Sequence, residues 1–222
     1  MQSINIVREV EIMRTPRLMQ MEGLFDVSAE KKSRQEWTVN LNLPSSWNVG
    51  LIVGSSGSGK TTIAKELFGE YLADDYQWDE HKSILDSFPK EMSIKDITGL
   101  LSSVGFSSPP SWVKPFHVLS NGERFRVNMA RTLAELKDIA VVDEFTSVVD
   151  RTVAKIGSAA IQKTVRQRNQ KFVAVSCHYD IAEWLEPDWI YEPATDNLTV
   201  GRLLWRPEIN LEIKRVHSSA WQ

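Results

Sequence analysis

The run Gly54-Ser55-Ser56-Gly57-Ser58-Gly59-Lys60-Thr61 matches G-x-x-x-x-G-K-[ST] at every fixed position. Glycines so spaced let backbone N–H groups turn inward and form a concave nest for phosphate oxygens. Lys60 adds a point charge for the β- and γ-phosphates, and the Thr61 hydroxyl is placed to ligate Mg²⁺. Thr62 continues into a helix whose N-terminal dipole points at the same anions. Far downstream stand two adjacent carboxylates, Asp143 and Glu144. Beside a phosphate loop, the first would hold Mg²⁺, directly or through water. The second could reach an attacking water as general base. The loop motif alone does not separate ATPases, GTPases and kinases.

A polar turn, Ser120-Asn121-Gly122-Glu123, precedes a helical pattern with Phe125, Met129 and Leu133 on one face. Two readings are open. Ser120 can cap that helix and offer its hydroxyl to a phosphate, with Gly122 allowing close backbone approach. Alternatively, Ser120 and Glu123 form a plain capping box.

The elements that must position these groups are legible. Leu51-Ile52-Val53 reads as a buried parallel strand entering the phosphate loop, and Ile139-Ala140-Val141-Val142 as a second strand ending on the carboxylates. KFVAVSCH (171–178) is a third, ending on His178. Ile63, Leu67 and Phe68 give the helix after Lys60 an apolar face. Further helices are expected at 92–104 and 152–168, with a Pro-rich turn at 107–115. Residues 4–14 and 35–43 alternate as strands around a charged loop or hairpin tip at 28–36. A late hairpin is expected from 188–192 and 197–204 around Asp196-Asn197, then a last strand at 208–216. Cys177 reads as a core residue. Arg166, Arg168 and Lys171 read as a solvated face, with phosphate contact as the alternative.

The order GSSGSGKTT, LSNGE, Ala130-Arg131, Asp143-Glu144, then Ser147-Val148-Val149-Asp150 and His178 resembles the ATP-binding cassette (ABC) ATPase family, over about residues 20–190. LSNGE is similar to the family's LSGGQ signature. Asn121 stands for a glycine, and Asn tolerates the same left-handed backbone. Glu123 stands for glutamine, a variant of soluble members in DNA repair and chromosome maintenance. The resemblance implies an α/β phosphate-loop fold of ABC type. Its mostly parallel core sheet would be flanked by helices, with an antiparallel β subdomain and a short helical subdomain. It implies ATP and Mg²⁺ as ligands and two copies meeting head to tail. One copy's phosphate loop (Gly54, Ser55, Ser56, Gly57, Ser58, Gly59, Lys60, Thr61, Thr62) would hold the nucleotide. Ser120, Gly122 and Glu123 of the other would seal it. His178 would be the γ-phosphate switch beside the base Glu144, and Asp143 with Thr61 would hold the metal.

At two positions this chain departs from the family pattern. The glutamine that contacts Mg²⁺ and water has no obvious equivalent. Asp86, in SILDSFPKEMSIKDI (83–97), is taken as its substitute, because Gln77 falls early. The aromatic that stacks on adenine is Phe25 or Trp37, with Phe25 nearer the usual offset. The segment between Lys60 and Ser120 is short for a transporter cassette, which argues against a membrane partner. The expected division is an antiparallel β part at 4–43, an ATPase core at 49–75 and 118–192, a reduced helical part at 76–117, and a C-terminal hairpin and strand at 193–222. The tail WRPEINLEIKRVHSSAW is weakly similar to cassettes linked to acetyltransferase-like modules, suggesting a second protein module as partner.

The bulk numbers agree with a globular protein. The 222 residues suit one domain of ordinary size. A net charge of −3 leaves no global nucleic-acid footprint. No apolar run approaches the length of a membrane span. The first residues lack the order of a signal peptide, and a lone cysteine suits a reducing compartment, so the expectation is cytoplasmic.

Overall fold

A computed structural model describes residues 3–28, 32–73 and 75–201. The alternating N-terminal residues form a two-stranded antiparallel ribbon. β1 (Ser3–Glu11) pairs with β2 (Lys32–Asn40) along its whole length, from Ser3↔Asn40 to Glu11↔Lys32. Only the base of the ribbon is anchored, through buried Ile6 and Val39. Between the strands lies α1 (Pro16–Phe25), an element absent from the sequence reading. Its signals were local: Thr15 caps it by accepting from the Leu18 N–H, Pro16 opens it, and Asp26 closes it in a left-handed conformation. The charged stretch assigned to a loop or hairpin tip instead enters β2 from Lys32 onward.

The remaining elements build one five-stranded sheet and its cover. In chain order they are β3 (Val49–Val53), α2 (Lys60–Phe68), α3 (Ile94–Ser103), α4 (Pro109–Trp112), α5 (Asn121–Glu135), β4 (Ile139–Val142), α6 (Arg151–Gln167), β5 (Lys171–Ser176), α7 (Ile181–Leu185), β6 (Trp189–Glu192) and β7 (Asn197–Val200). The spatial order is β4-β5-β3-β6-β7, with only β7 antiparallel to its neighbour. The hairpin around Asp196-Asn197 is β6–β7. The expected strand at 208–216, and the tail from residue 202, lie outside the described residues.

Strand alternation divides the core into two layers. Leu51, Val53, Ala140, Val142, Phe172 and Ala174 face α3, α5 and α6. Ile52, Val141, Val173 and Val175 face the other way, onto Ile63 and Phe68 of α2 and onto Ile6 and Val39 of the ribbon. Because both faces are covered, the parallel strands read as continuous apolar runs. β5 lies between β3 and β4. The phosphate-loop strand and the carboxylate strand therefore end at the same sheet edge, one strand apart.

The opposite edge is tied by Asp188. Its carboxylate accepts from the N–H groups of Asn48 (2.8 Å) and Val49 (2.9 Å) and pairs with Arg166 at 2.9 Å. Arg166 also donates to the Glu186 carbonyl at 2.6 Å. Arg168 bonds Gln170, and Lys171 lies over the Trp47 ring. The basic cluster thus does structural work at the end of the sheet remote from the phosphate loop. Arg166 and Lys171 are half-buried there, while Arg168 is exposed.

Candidate active site

The loop after β3 turns tightly because Gly57 and Gly59 take φ values of 80° and 90°, conformations that suit glycine. Gly59 has a second reason to lack a side chain: a Cβ there would lie 2.3 Å from Trp37 Nε1. The indole is therefore laid against the loop. Lys60 opens α2, and its ammonium donates to the Ser55 carbonyl at 2.7 Å, folding the lysine back over the loop.

A cleft of about 260 Å³ joins the separate motifs. It is lined by the loop (Ser56, Gly57, Gly59, Lys60, Thr61, Thr62), by Asp143 and Glu144 from the end of β4, and by Ser147. Gln35 and Trp37 of β2 close one side, and Cys177 after β5 closes another. A triphosphate suits this donor set: backbone N–H groups, an ammonium and a hydroxyl stand opposite two carboxylates. A magnesium ion fits it as well. Among the described residues no group of three or more His, Cys, Asp and Glu converges. A divalent ion here would rest on Thr61, Asp143 and phosphate oxygens, the sparse protein ligation that Mg²⁺ favours.

The carboxylate turn is strained. Glu144 has φ 51° and Thr146 φ 68°, left-handed values unusual for residues with side chains and rarest for a β-branched one. The strain is held from both ends. Glu144 N–H donates to Asp143 Oδ1 (2.9 Å), Phe145 N–H to the Val175 carbonyl (2.9 Å), and Ser176 Oγ to the Phe145 carbonyl (3.1 Å). Turn and β5 are thereby locked together, which aims Glu144 at the cleft.

Ser120, the cap of α5, is exposed and does not line its own chain's cleft; neither do Gly122 and Glu123. The capping box is complete: Glu123 N–H donates to Ser120 Oγ at 3.4 Å, and Ser120 N–H donates to Glu123 Oε2 at 2.9 Å. That N–H, foremost, holds the Glu123 carboxyl below its ordinary range. Asn121 lines a second cavity, of about 770 Å³, that shares Asp143 and Glu144 with the cleft.

Three expectations change at the site. Phe25 ends α1 and is 70% exposed, outside the residues that line the cleft, whereas Trp37 is one of its walls. Asp86 sits exposed in a short 3₁₀ turn (Ile84–Ser87) and lines neither cavity. The segment next to the carboxylates is instead Asp75-Tyr76, which lines the larger cavity. Cys177 is exposed in the cleft rather than buried in the core. His178 follows it half-buried, its N–H donating to Ser176 Oγ at 3.1 Å, and its side chain is not among the cleft walls.

Sequence reasoning missed how Asp75–Trp78 is held. Arg131 of α5 lies over the rings of Tyr76 (4.5 Å) and Trp78 (4.7 Å) and donates to the Gln77 carbonyl at 3.1 Å. Trp78 Nε1 donates to Asn128 at 3.2 Å. The signal was present as aromatics in YQW, but nothing in one dimension pairs them with an arginine on a later helix.

No established family profile matches the chain. It is 24% identical over 144 residues to the ribosome protection protein VmlR of Bacillus subtilis, covering 56% of this chain and 25% of that protein. It is 28% identical over 175 residues to the energy-coupling factor transporter ATP-binding protein EcfA1 of Geobacillus kaustophilus, covering 62% of this chain and 61% of that protein. The chain thus spans from a quarter to about three-fifths of these relatives' lengths. Among solved structures it matches an inward-facing ABC transporter of metal-chelate type with a TM-score of 0.58 and 17% identity, over 74% of this chain and 76% of that one. It matches a dimeric bacterial ABC transporter cassette with a TM-score of 0.53 and 16% identity, over 72% and 89%.

Proposed function

We propose that the chain is an ATP-binding cassette ATPase, a reading its motif order and fold support, and that it binds Mg-ATP between two head-to-tail copies and hydrolyses it to drive a conformational change in a partner. The observation that carries this reading is the convergence of Lys60, Thr61, Asp143 and Glu144 on one cleft. Backbone N–H groups of the loop and the Lys60 ammonium take the phosphates. Mg²⁺, held by Thr61 and Asp143, would neutralise developing charge on them. Glu144 accepts a proton from the attacking water. Trp37 carries the adenine, a role for which its place in the cleft wall makes it better suited than Phe25. Exposed Ser120 and half-buried Gly122, both absent from their own cleft, seal the nucleotide of the second copy. His178 contacts the γ-phosphate once that copy closes.

The test compares two variants. Lys60→Ala is expected to abolish measurable ATP binding in calorimetry. Glu144→Gln is expected to bind ATP normally, to turn over ~10²-fold or more slowly, and to elute as a dimer with Mg-ATP. Wild-type turnover by Glu144→Gln would remove Glu144 as the base.

A second reading follows from the EcfA1 match: the chain is the ATP-binding subunit of a transporter. Among the described residues no helix is long and apolar enough to cross a membrane. Reproducible copurification with a membrane-spanning protein would favour it over the first.

A further inference from the structure

The two faces of the β1–β2 ribbon use their polar side chains differently. Register and strand alternation put Ile6, Arg8, Gln35, Trp37 and Val39 on one face, with Trp37 across from Ile6 and Gln35 across from Arg8. Exposure rises along β2 on that face: Val39 is buried, Trp37 is half-buried against Gly59, and Gln35 is exposed. Trp37 and Gln35 are the ribbon's contribution to the walls of the phosphate cleft. On the opposite face the polar groups pair with one another. Asn5 donates to Glu36 (2.8 Å), Lys32 pairs with Glu9 (2.6 Å) and Arg34 with Glu36 (3.2 Å). The Gln35 carboxamide has no such partner among the described residues.

A base laid on Trp37 is held by its π-face, which every base has, so that contact does not distinguish adenine from guanine. The phosphate loop meets the phosphates whatever the base. Selectivity needs a group that meets the base at its edge. Gln35 stands on the same face as Trp37, about 7 Å farther out along β2, and its side chain offers a donor and an acceptor together. We propose that Gln35 makes the cleft selective for adenine nucleotides, an inference that rests on the reading of the cleft as an Mg-ATP site with Trp37 under the base. Its carbonyl oxygen accepts from the adenine N6 amino group, and its amide donates to N7. Adenine complements both groups. Guanine presents acceptors at O6 and at N7, so the Gln35 carbonyl would face a second oxygen with no proton between them. Arg8 is the competing group. It is donor-only and would favour guanine, but it is not among the cleft walls. Gln35 therefore determines specificity without touching the phosphates or the attacking water.

The experiment is calorimetric titration of the full chain, with Mg²⁺, by ADP, GDP and 7-deaza-ADP, for wild type and Gln35→Ala. Diphosphates keep turnover out of the measurement, and 7-deaza-ADP lacks only the N7 acceptor. Wild type is expected to bind ADP about tenfold or more tightly than either of the others. In Gln35→Ala the three nucleotides are expected to bind alike, because ADP falls to the level of the other two. Gln35 is exposed and without a partner among the described residues, so the variant is expected to keep its thermal midpoint. The 7-deaza-ADP titration of wild type tests the N7 contact without any substitution. Equal wild-type affinity for ADP and GDP, undiminished affinity for 7-deaza-ADP, or an adenine preference that survives Gln35→Ala would overturn the proposal and leave the nucleotide site standing. A preference for GDP would also overturn it and would point to Arg8. A wild-type chain that binds none of the three would remove the reading of the cleft itself, and the proposal with it.

Discussion

Trp37 lies against Gly59 at the mouth of the phosphate cleft, and Phe25 stands out in solvent at the end of α1. If Trp37 stacks on the base, Trp37→Ala removes a contact of about 1–3 kcal/mol, by analogy with other base–aromatic stacks. The expected outcome is roughly tenfold or greater loss of ATP affinity by calorimetry, with Phe25→Ala unchanged; the reverse order would restore the sequence-based choice. Arg131 gives a second residue-scale prediction. Arg131→Ala gives up two ring contacts, a carbonyl bond and the Glu135 ion pair, and should cost about 2 kcal/mol in urea unfolding. Arg131→Lys should recover only part of that, because an ammonium cannot lie flat between Tyr76 and Trp78.

At the scale of elements, the capping box decides where α5 starts, and with it where the Ser120–Gly122 corner points. Ser120→Ala is expected to lower stability by about 1 kcal/mol, and thermal unfolding can read that apart from turnover. Glu123 adds a pH dependence. Its carboxyl is held below the ordinary range by the Ser120 N–H, so its contribution is fully present above the unfolded value. It is lost as pH falls through the lower folded value. The acid-side stability of wild type should therefore fall through that window, and Glu123→Gln should flatten the drop. The box also shows that the two readings of SNGE were never exclusive. A helix N-terminus satisfied by its own side chains can remain exposed and present its corner to another chain.

For the molecule as a whole, Asp188 joins β3, β6 and α6 at the edge remote from the cleft. Burial pushes its carboxyl up, but the Arg166 pair and the N–H groups of Val49 and Asn48 outweigh that and leave it below the ordinary range. Its stabilisation is thus complete above the unfolded carboxylate value and is lost as pH falls through the folded one. Asp188→Ala should cost about 2–3 kcal/mol at neutral pH, since Arg166 and two backbone N–H groups lose their partner; an unchanged urea midpoint would show that water replaces it. The local motifs were legible along the chain because a phosphate nest, a strand tip and a helix cap are each built from consecutive residues. So were the parallel strands, whose apolar runs record burial on both faces. Trp37 over Phe25, the clasp of Arg131 on Tyr76 and Trp78, the exposure of Cys177 and the structural use of Arg166 were not legible. Each depends on which distant segment arrives beside it. The sequence by itself determined the chemistry available, because that is set by residue types at short spacing. Only the tertiary structure decided which side chains share a cleft, because that follows from how the sheet order and the ribbon bring remote residues together.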